Sequence, residues 1–362
     1  MEQKKALIAM SGGVDSSVAA YLTQCQGYEC AGATMRMFSN EILPPEQSST
    51  CCSLDDVEDA RSVAYRLGIP FHVFNATVPF RQQVMDRFAR SYEAGLTPNP
   101  CVDCNRHLKF DHFLQKALLL GCSHMVTGHY ARIRRDPESG RFILCKARDT
   151  AKDQSYFLAC LDQEQLAHIL FPLGELTKEE VRAIAAEQGF LNARKRDSQD
   201  ICFIPDGDYL AFLKRYTGKA YASGSFLDLE GNVVGTHQGA VAYTLGQRKG
   251  LGLAMGTPVY VCAKDMRANT VTVGPNEALF HRTLVAGNWV WYPFPALTEP
   301  VRCMAKARSR MTEQPATVYP DTDGKARVVF DEPQRAITPG QAVVLYDGDR
   351  VIGGGTIEEV LE

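Results

Sequence analysis

The chain has 362 residues, of which 45% are hydrophobic and 22% are charged, and its formal net charge is −3. This composition is typical of a globular protein, and no apolar stretch is long enough to span a membrane. The charge excludes a protein that is basic over its whole surface, although a local basic face would still allow nucleic-acid binding. The length predicts two or three domains.

The N-terminus leads directly into the first predicted strand, so we expect no signal peptide and a cytoplasmic location. The sequence also contains 12 cysteines. In a reducing compartment most of them should be small buried residues, with catalytic or metal-binding exceptions.

A turn rich in glycine and serine joins the first predicted strand, 6–10, to the first predicted helix, 16–26. Gly12 and Gly13 allow a positive φ and the close approach of an anion, and the N–H groups at the start of the helix point towards that anion. Ser11, Ser16 and Ser17 add hydroxyl donors. The predicted phosphate site consists of Ala9, Met10, Ser11, Gly12, Gly13, Val14, Asp15 and Ser16.

Asp15 is the unusual member of this site. A carboxylate beside a phosphate is repulsive unless a cation lies between them, which predicts an Mg²⁺ contact. The turn has neither the lysine of a Walker A loop nor a Gly-x-Gly-x-x-Gly pattern. Its sequence, Ser-Gly-Gly-x-Asp-Ser, resembles the PP-loop of the ATP pyrophosphatases, which cleave ATP between the α and β phosphates and adenylate an oxygen of the substrate.

Strands and helices alternate through the first half of the chain, which predicts an α/β fold with a parallel sheet. Further strands are expected at 28–35, 71–76 and 124–127, and further helices at 55–67, 80–92 and 108–120. Gly128 and His129 then follow the carboxyl end of a strand, where open α/β sheets bind ligands.

The second half begins with a predicted hairpin, 132–147, and two predicted helices, 163–170 and 177–188. From about Gly224, short β-type runs alternate with glycine and proline turns, which predicts small β domains and a C-terminal barrel. These runs are 226–229, 240–244, 258–261, 270–273, 283–286, 316–319, 326–330 and 342–346. The expected domains are 1–206 for ATP binding and catalysis, 207–280 as a central domain, and 281–362 as the barrel.

Three cysteines differ from the others because they are predicted to lie in polar loops. Cys101 and Cys104 belong to the segment 97–105, whose prolines and asparagine predict an ordered, non-helical loop, and Cys202 lies in a second loop. Cations follow Cys104 and precede Cys202 in the sequence, and nearby cations lower the pKa of a thiol. These cations are Arg106, His107, Lys109, Arg194, Lys195 and Arg196.

Three interpretations of these cysteines remain open. Cys104 and Cys202 form a redox or sulfur-relay pair, all three cysteines bind zinc or an iron–sulfur cluster, or all three are structural. A single C-x-x-C is a weak metal signal. Cys30, Cys122, Cys145 and Cys160, and the adjacent pair Cys51 and Cys52, are interpreted as structural.

A basic stripe lies in a region without acidic residues between positions 301 and 312. Arg302, Lys306, Arg308 and Arg310 occupy even positions, so they would project from one face if this region were a strand. Such a face is suited to an RNA backbone.

Several motifs occur together and in a fixed order along the chain. They are the PP-loop, Cys104-Asn105, 127–132, 152–158, 197–204, 244–252 and 339–341. In this combination the sequence resembles the bacterial tRNA-specific 2-thiouridylases over essentially its whole length. This family, within the PP-loop ATP pyrophosphatases, converts the wobble uridine of certain tRNAs to 2-thiouridine.

The resemblance implies roles for individual residues. Ala9 to Ser16, Met35 and Gly128 would bind ATP. Cys202 would carry a persulfide received from a donor protein, and Cys104 would be its partner and form a disulfide with it as sulfur leaves. Thr97, Pro98 and Asn99 would touch the target base. The expected tRNA contacts are His129, Lys152, Asp153, Gln154, Arg308, Ser309 and Gln341.

One departure affects the expected mechanism. Many family members carry aspartate three residues before the first catalytic cysteine, whereas this chain has Cys101 there. A third thiol keeps an iron–sulfur cluster at Cys101, Cys104 and Cys202 open as an alternative. An amide-forming PP-loop ligase is the other alternative, although it would leave the loop cysteines without a task.

Overall fold

The computed structural model describes residues 4–38, 54–195 and 201–361. Cys51 and Cys52, and the motif residues 196–200 that precede Cys202, lie outside the described residues. Within the described ranges, no helix combines the length and the apolar character that a membrane span requires.

The first part of the chain is built on a five-stranded parallel sheet. In chain order, the strands up to residue 170 are β1 (Lys5–Ala9), β2 (Glu29–Arg36), β3 (Phe71–Asn75), β4 (His124–Val126), β5 (Arg132–Arg135), β6 (Phe142–Cys145) and β7 (Ile169–Leu170). The sheet has the order β3-β2-β1-β4-β7. The strand order reverses between β1 and β4, so the ends of these two strands border the crevice in which such sheets bind ligands.

Helices cover both faces of this sheet. They are α1 (Val14–Cys25), α2 (Leu54–Leu67), α3 (Thr77–Phe80), α4 (Asp86–Glu93), α5 (Pro100–Asp103), α6 (Leu114–Leu119), α7 (Ser155–Leu158), α8 (Gln163–Ala167), α9 (Lys178–Glu187) and α10 (Tyr209–Thr217). Leu7 of β1 belongs to one hydrophobic cluster, and Ala6 and Ile8 belong to another. This alternation is expected for a strand that is buried on both faces.

Three sequence predictions in this region were wrong at their boundaries. The predicted helix 163–170 ends at Ala167, and its last two residues form β7. The predicted helices 80–92 and 108–120 both begin earlier, because π-helical segments Arg81–Met85 and Cys104–Phe113 join α3 to α4 and α5 to α6. A pattern with a period of 3.6 residues does not predict such wider turns.

A small four-stranded sheet follows, in the order β10-β11-β8-β9. Its strands are β8 (Gly224–Leu227), β9 (Val233–His237), β10 (Tyr260–Asp265) and β11 (Thr270–Gly274). The predicted run 240–244 is wrong, because it contains the 3₁₀ turn Ala240–Ala242. The run 258–261 becomes a strand only from Tyr260, and β9 was not predicted.

The last part of the chain is a closed antiparallel barrel, as predicted. Its strands are β12 (Phe280–Trp291), β13 (Val301–Lys306), β14 (Gln314–Pro320), β15 (Ala326–Arg335), β16 (Ala342–Asp347) and β17 (Arg350–Leu361). The order is β12-β15-β14-β13-β16-β17, and pairing of β12 with β17 closes it. The predicted hairpin forms β5 and β6, and Cys145 of β6 pairs with Arg350 of β17, so the barrel is joined to the first part of the chain.

Candidate functional site

The PP-loop lies between β1 and α1, at the crevice end of the sheet. Gly12 has φ +72°, and a Cβ placed on it would lie 2.3 Å from the carbonyl oxygen of Asp56, so this position requires glycine. Gly13 has φ −87° and serves as the N-cap of α1, so of the two glycines only Gly12 uses the positive φ that both allow. The first N–H groups of α1 have no partner within the helix, and such groups are suited to binding an anion.

The serine hydroxyls of the loop stabilise its shape. Ser16 Oγ and Ser17 Oγ each donate to the Gly13 carbonyl at 3.0 Å, and the Ser11 N–H donates to Ser16 Oγ at 3.2 Å. Ser16 and Ser17 are buried, whereas Ser11 is exposed. Of the three predicted hydroxyl donors, only Ser11 is therefore exposed for a phosphate contact.

Asp15 contacts a protein cation. Lys178 Nζ lies 2.8 Å from both Asp15 carboxylate oxygens, and the Tyr130 hydroxyl donates to Oδ1 at 2.8 Å. Lys178 is 6% exposed at the start of α9. A cation lies beside the Asp15 carboxylate, as expected, and in this structure it is the Lys178 ammonium. Both Asp15 oxygens accept hydrogen bonds from protein donors, and the Mg²⁺ contact of Asp15 stays a prediction.

A second contact from distant sequence stabilises the loop. Asn192, which is buried, donates from Nδ2 to the Gly12 carbonyl and to Ser17 Oγ, both at 2.9 Å. Lys195 Nζ lies 2.6 Å from Asp56 Oδ1 and 2.6 Å from Asp59 Oδ2. Lys195 was predicted as a cation beside Cys202, but the Asp56 and Asp59 carboxylates of α2 offset its charge. Arg196 lies outside the described residues.

Two further residues predicted to bind ATP lie next to the loop. A Cβ on Gly128, which follows β4, would lie 2.6 Å from the Asp15 carbonyl carbon and the Ser16 nitrogen, so the backbones are in direct contact. Met35 lies near the carboxyl end of β2, the strand beside β1, and is buried. The fold therefore places both residues at the same end of the sheet as the PP-loop.

Cys101 and Cys104 lie in a helix, so the prediction of a non-helical loop over 97–105 was wrong from Pro100 onward. Asn99 is the N-cap, and its Oδ1 accepts the Cys101 N–H at 3.2 Å. Pro100 occupies the first helical position, where its missing N–H costs nothing. Cys101 is exposed and Cys104 is buried. The helical segment predicted to begin at residue 108 therefore begins at Pro100.

Cys202 is half-buried and packs against the hydrophobic cluster that also contains Cys104. Cys30, Cys122, Cys145 and Cys160 are buried, as predicted, and burial raises the pKa of each thiol. Among the described residues, no group of three or more His, Cys, Asp or Glu side chains is arranged to hold a metal ion. The ligand set Cys101, Cys104 and Cys202 therefore does not fit a metal ion or cluster in this structure.

Asp103 and Arg87 join the predicted cations Arg106 and His107 near Cys104. Burial raises the pKa of Asp103, although Arg87 and Arg106 act in the opposite direction. Arg87 Nε lies 3.6 Å from Asp103 Oδ1. Burial lowers the pKa of His107, and the two arginines act in the same direction.

The surroundings of His129 favour its neutral form. Its Nδ1 lies 2.7 Å from Thr127 Oγ1, and its ring packs against Phe110 and Phe171. Burial lowers the pKa of His129 well below its ordinary value, and Lys109 acts in the same direction. Any contact of this side chain with tRNA would therefore be a hydrogen bond rather than an ion pair.

Four other residues predicted to contact tRNA, Asp153, Gln154, Arg308 and Gln341, have structural partners. Asp153 accepts the Ala147 N–H at 2.9 Å and the Ser155 hydroxyl at 2.7 Å, and Gln154 Oε1 accepts the Tyr130 N–H at 2.9 Å. Arg308 donates to Thr338, and Gln341 donates to the Thr97 carbonyl. Lys152 and Ser309 are half-buried. The roles of these residues in tRNA binding remain predictions.

The basic stripe is only partly a strand. β13 ends at Lys306, and its even positions do share one face. Arg308 and Arg310 lie beyond it. Arg302 forms an ion pair with Asp331, with Nη1 2.6 Å from Oδ1. The stripe therefore carries less positive charge than its sequence predicts.

Three family profiles match the chain in succession. They are described as "tRNA methyl transferase HUP domain" over residues 4–206, "tRNA methyl transferase PRC-barrel domain" over 210–275, and "Aminomethyltransferase beta-barrel domain" over 281–357. The parallel sheet with its phosphate loop, followed by these two β modules, defines the class as a three-part HUP-domain protein.

The curated relatives specify the family within this class. The tRNA-specific 2-thiouridylase MnmA of Symbiobacterium thermophilum is 52% identical over 99% of this chain and 93% of the relative. The proteins of the same name from Clostridioides difficile and Clostridium acetobutylicum are 47% and 48% identical, over 99% and 98% of this chain and 99% of each relative. The chain belongs to the family of tRNA-specific 2-thiouridylases.

Solved structures are more distant. The chain is similar to a 4-thiouridine synthetase in complex with RNA and ATP, with a TM-score of 0.34 and 20% identity over 59% of this chain and 50% of that chain. An NH3-dependent NAD synthetase from Campylobacter jejuni gives a TM-score of 0.33 and 14% identity, over 60% and 77%.

Proposed function

We propose that the protein catalyses the ATP-dependent 2-thiolation of the wobble uridine of tRNA in the cytoplasm. The observation that carries this proposal is the family membership, together with a PP-loop whose glycine turn and helix N-terminus are formed as a phosphate site requires. The proposed domains are 1–206, 207–280 and 281–362, which the three profile matches support.

ATP activates the uridine. The C2 oxygen is a poor leaving group, and its attack on the α phosphate forms an adenylate and releases pyrophosphate at the PP-loop. The N–H groups of the loop and Ser11 would hold the departing phosphates, and the Lys178 ammonium offsets the charge of Asp15. Mg²⁺ is proposed to enter with ATP as part of the substrate, and Asp15 would reach it only on releasing Lys178.

Two thiols complete the reaction. The terminal sulfur of a Cys202 persulfide attacks C2, and AMP leaves. The Cys104 thiolate then attacks Sγ of Cys202, which leaves sulfur on the base as the 2-thione and forms a Cys104–Cys202 disulfide. An external dithiol must reduce this disulfide, and a persulfide-carrying protein must supply the next sulfur atom. The described cysteines do not fit the alternative of a cluster ligand set.

The base must leave its stack to reach the adenylation site, as in other base-modifying enzymes. Thr97, Pro98 and Asn99 are proposed to contact it, since Asn99 begins the helix that carries Cys104. The tRNA backbone is proposed to contact His129, Lys152 to Gln154, Arg308, Ser309 and Gln341.

The test is an assay with ATP, Mg²⁺, a persulfide donor and unmodified tRNA, with 2-thiouridine read by mass spectrometry. Cys202→Ser should bind ATP and tRNA but form no 2-thiouridine, since the sulfur carrier is lost. Cys262→Ser, a half-buried cysteine of the central sheet, is the matched control and should retain activity. Full thiolation by Cys202→Ser would refute the mechanism, and product formed only without oxygen would favour a cluster.

A further inference from the structure

The C-terminal barrel holds the proposed target-base segment 97–99. The Thr97 N–H donates to the Pro339 carbonyl at 3.0 Å. Gln341 Nε2 donates to the Thr97 carbonyl at 2.8 Å and lies 3.4 Å from the Pro98 carbonyl oxygen. Thr97 therefore has both its backbone groups bound to the barrel, although the segment belongs in sequence to the ATP-binding part of the chain.

The barrel loop that makes these contacts is itself fixed. The Gly340 N–H donates to the Ile357 carbonyl, and the Ile357 N–H donates to the Gln341 carbonyl, both at 2.8 Å. A Cβ on Gly340 would lie 3.1 Å from the backbone of Thr97, so the two chains are in close contact. The loop between β15 and β16 is thus bound to β17 and reaches across to Thr97.

A half-buried arginine stabilises the same loop. Arg308 Nη2 donates to Thr338 Oγ1 at 2.5 Å and to the Leu245 carbonyl at 3.3 Å. Burial lowers the pKa of Arg308, and the charge of Arg335 acts in the same direction. Arg308 and Gln341 were both predicted to contact tRNA, but in this structure Arg308 Nη2 and Gln341 Nε2 donate to protein atoms.

The segment leads directly into the helix of Cys104. The Asn99 side chain caps the helix at Cys101, and the Asn99 carbonyl accepts the Val102 N–H at 3.1 Å. Cys104 follows within the next turn and is buried. A shift of Thr97 and Pro98 would therefore move the helix start and change the access of reagents to Cys104.

We propose that Gln341 is a positioning residue that fixes the target-base segment and the start of the Cys104 helix. Docking of the barrel onto Thr97 then sets the reactivity of the Cys104 thiol before tRNA arrives. This inference rests on the proposed function for the roles of residues 97–99 and Cys104, and adds a role of Gln341 that does not depend on touching RNA.

The test measures Cys104 without tRNA or ATP. The rate of its alkylation by iodoacetamide is followed by peptide mass spectrometry, with the exposed Cys25 as an internal reference thiol. Gln341→Ala should raise the Cys104 rate about five-fold, which corresponds to the loss of about one hydrogen bond. Gln341→Glu keeps the size but replaces the amide donor, and should behave like Gln341→Ala. Both should lower kcat more than they raise the KM for tRNA.

Gln334→Ala is the matched control, since Gln334 Nε2 lies on the same barrel and donates to the nearby Glu332 carbonyl. It should leave the Cys104 rate unchanged. An unchanged Cys104 rate in both Gln341 variants, with a raised KM for tRNA, would overturn the inference in favour of a direct RNA contact. The alkylation requires no turnover, so failure of the wild-type protein to form 2-thiouridine would refute the proposed function separately.

Discussion

The PP-loop and the target-base segment serve the same proposed reaction but are stabilised in different ways. The loop is held by its own strand and helix and by residues of the same α/β unit, namely Lys178 and Asn192. The target-base segment is held by a different part of the chain, through Pro339 and Gln341. The ATP site is therefore complete within one unit, whereas the sulfur-transfer side depends on the docking of the barrel.

The largest effect is expected for Gly12→Ala, which tests the geometry of the PP-loop. The new Cβ would collide with the Asp56 carbonyl at 2.3 Å in a left-handed backbone conformation, so the loop must change shape. We expect a loss of ATP-dependent activity of about 100-fold or more, since phosphate positioning and charge stabilisation are both disturbed. ATP binding by calorimetry provides the measurement.

Gly27→Ala is the control, since it introduces backbone strain without a steric collision. Gly27 has φ +84°, but a Cβ there meets nothing within 4 Å. The Gly27→Ala substitution should lower the free energy of unfolding by about 1 kcal/mol and leave ATP binding intact. Equal loss of ATP binding in both variants would contradict the close-approach argument.

Lys178→Met should have the next largest effect. It leaves the Asp15 carboxylate without its ammonium, and we expect the KM for ATP to rise about ten-fold because the uncompensated charge repels phosphate. Lys178→Arg should recover part of the affinity, and Asp15→Asn combined with Lys178→Met should recover more. Steady-state kinetics at varied ATP concentration give the KM for ATP of each variant.

The control for this prediction is Lys214→Met, which removes an exposed lysine of α10. A Lys178→Met variant with wild-type KM for ATP would show that the Asp15–Lys178 pair plays no part in nucleotide binding. Cys104 alkylation should remain unchanged in Lys178→Met, since the two sites are held independently.

The smallest effects are expected on the barrel surface. Arg310→Ala should reduce the slope of log affinity for tRNA against log salt concentration by about 1, since one phosphate contact is lost. Arg302→Ala should reduce it less, because Asp331 already neutralises Arg302. Filter binding across a salt series distinguishes the two, and a larger change for Arg302→Ala would contradict the partial neutralisation of the stripe.

Local patterns explain the parts of the site that could be predicted. An apolar run, a glycine turn and a helix start are neighbours in sequence, so their geometry follows from short-range constraints on φ and from helix capping. The helix predicted over 177–188 is present for the same reason, and a capping box of Thr177 and Glu180 marks its start. The segment around Cys104 was mistaken for a loop because two prolines and an asparagine occur together. They instead form the N-cap and first turn of a helix that continues as a π-helix.

The sequence by itself determined the α/β unit, the phosphate loop, the barrel and the identity of the two candidate thiols, because each depends on residues close together or on motifs in a fixed order. Only the tertiary structure showed which distant side chains complete the site. Lys178 lies 163 positions from Asp15, and Gln341 lies 244 positions from Thr97. No periodicity or turn rule links residues so far apart, since their contact depends on how whole elements pack.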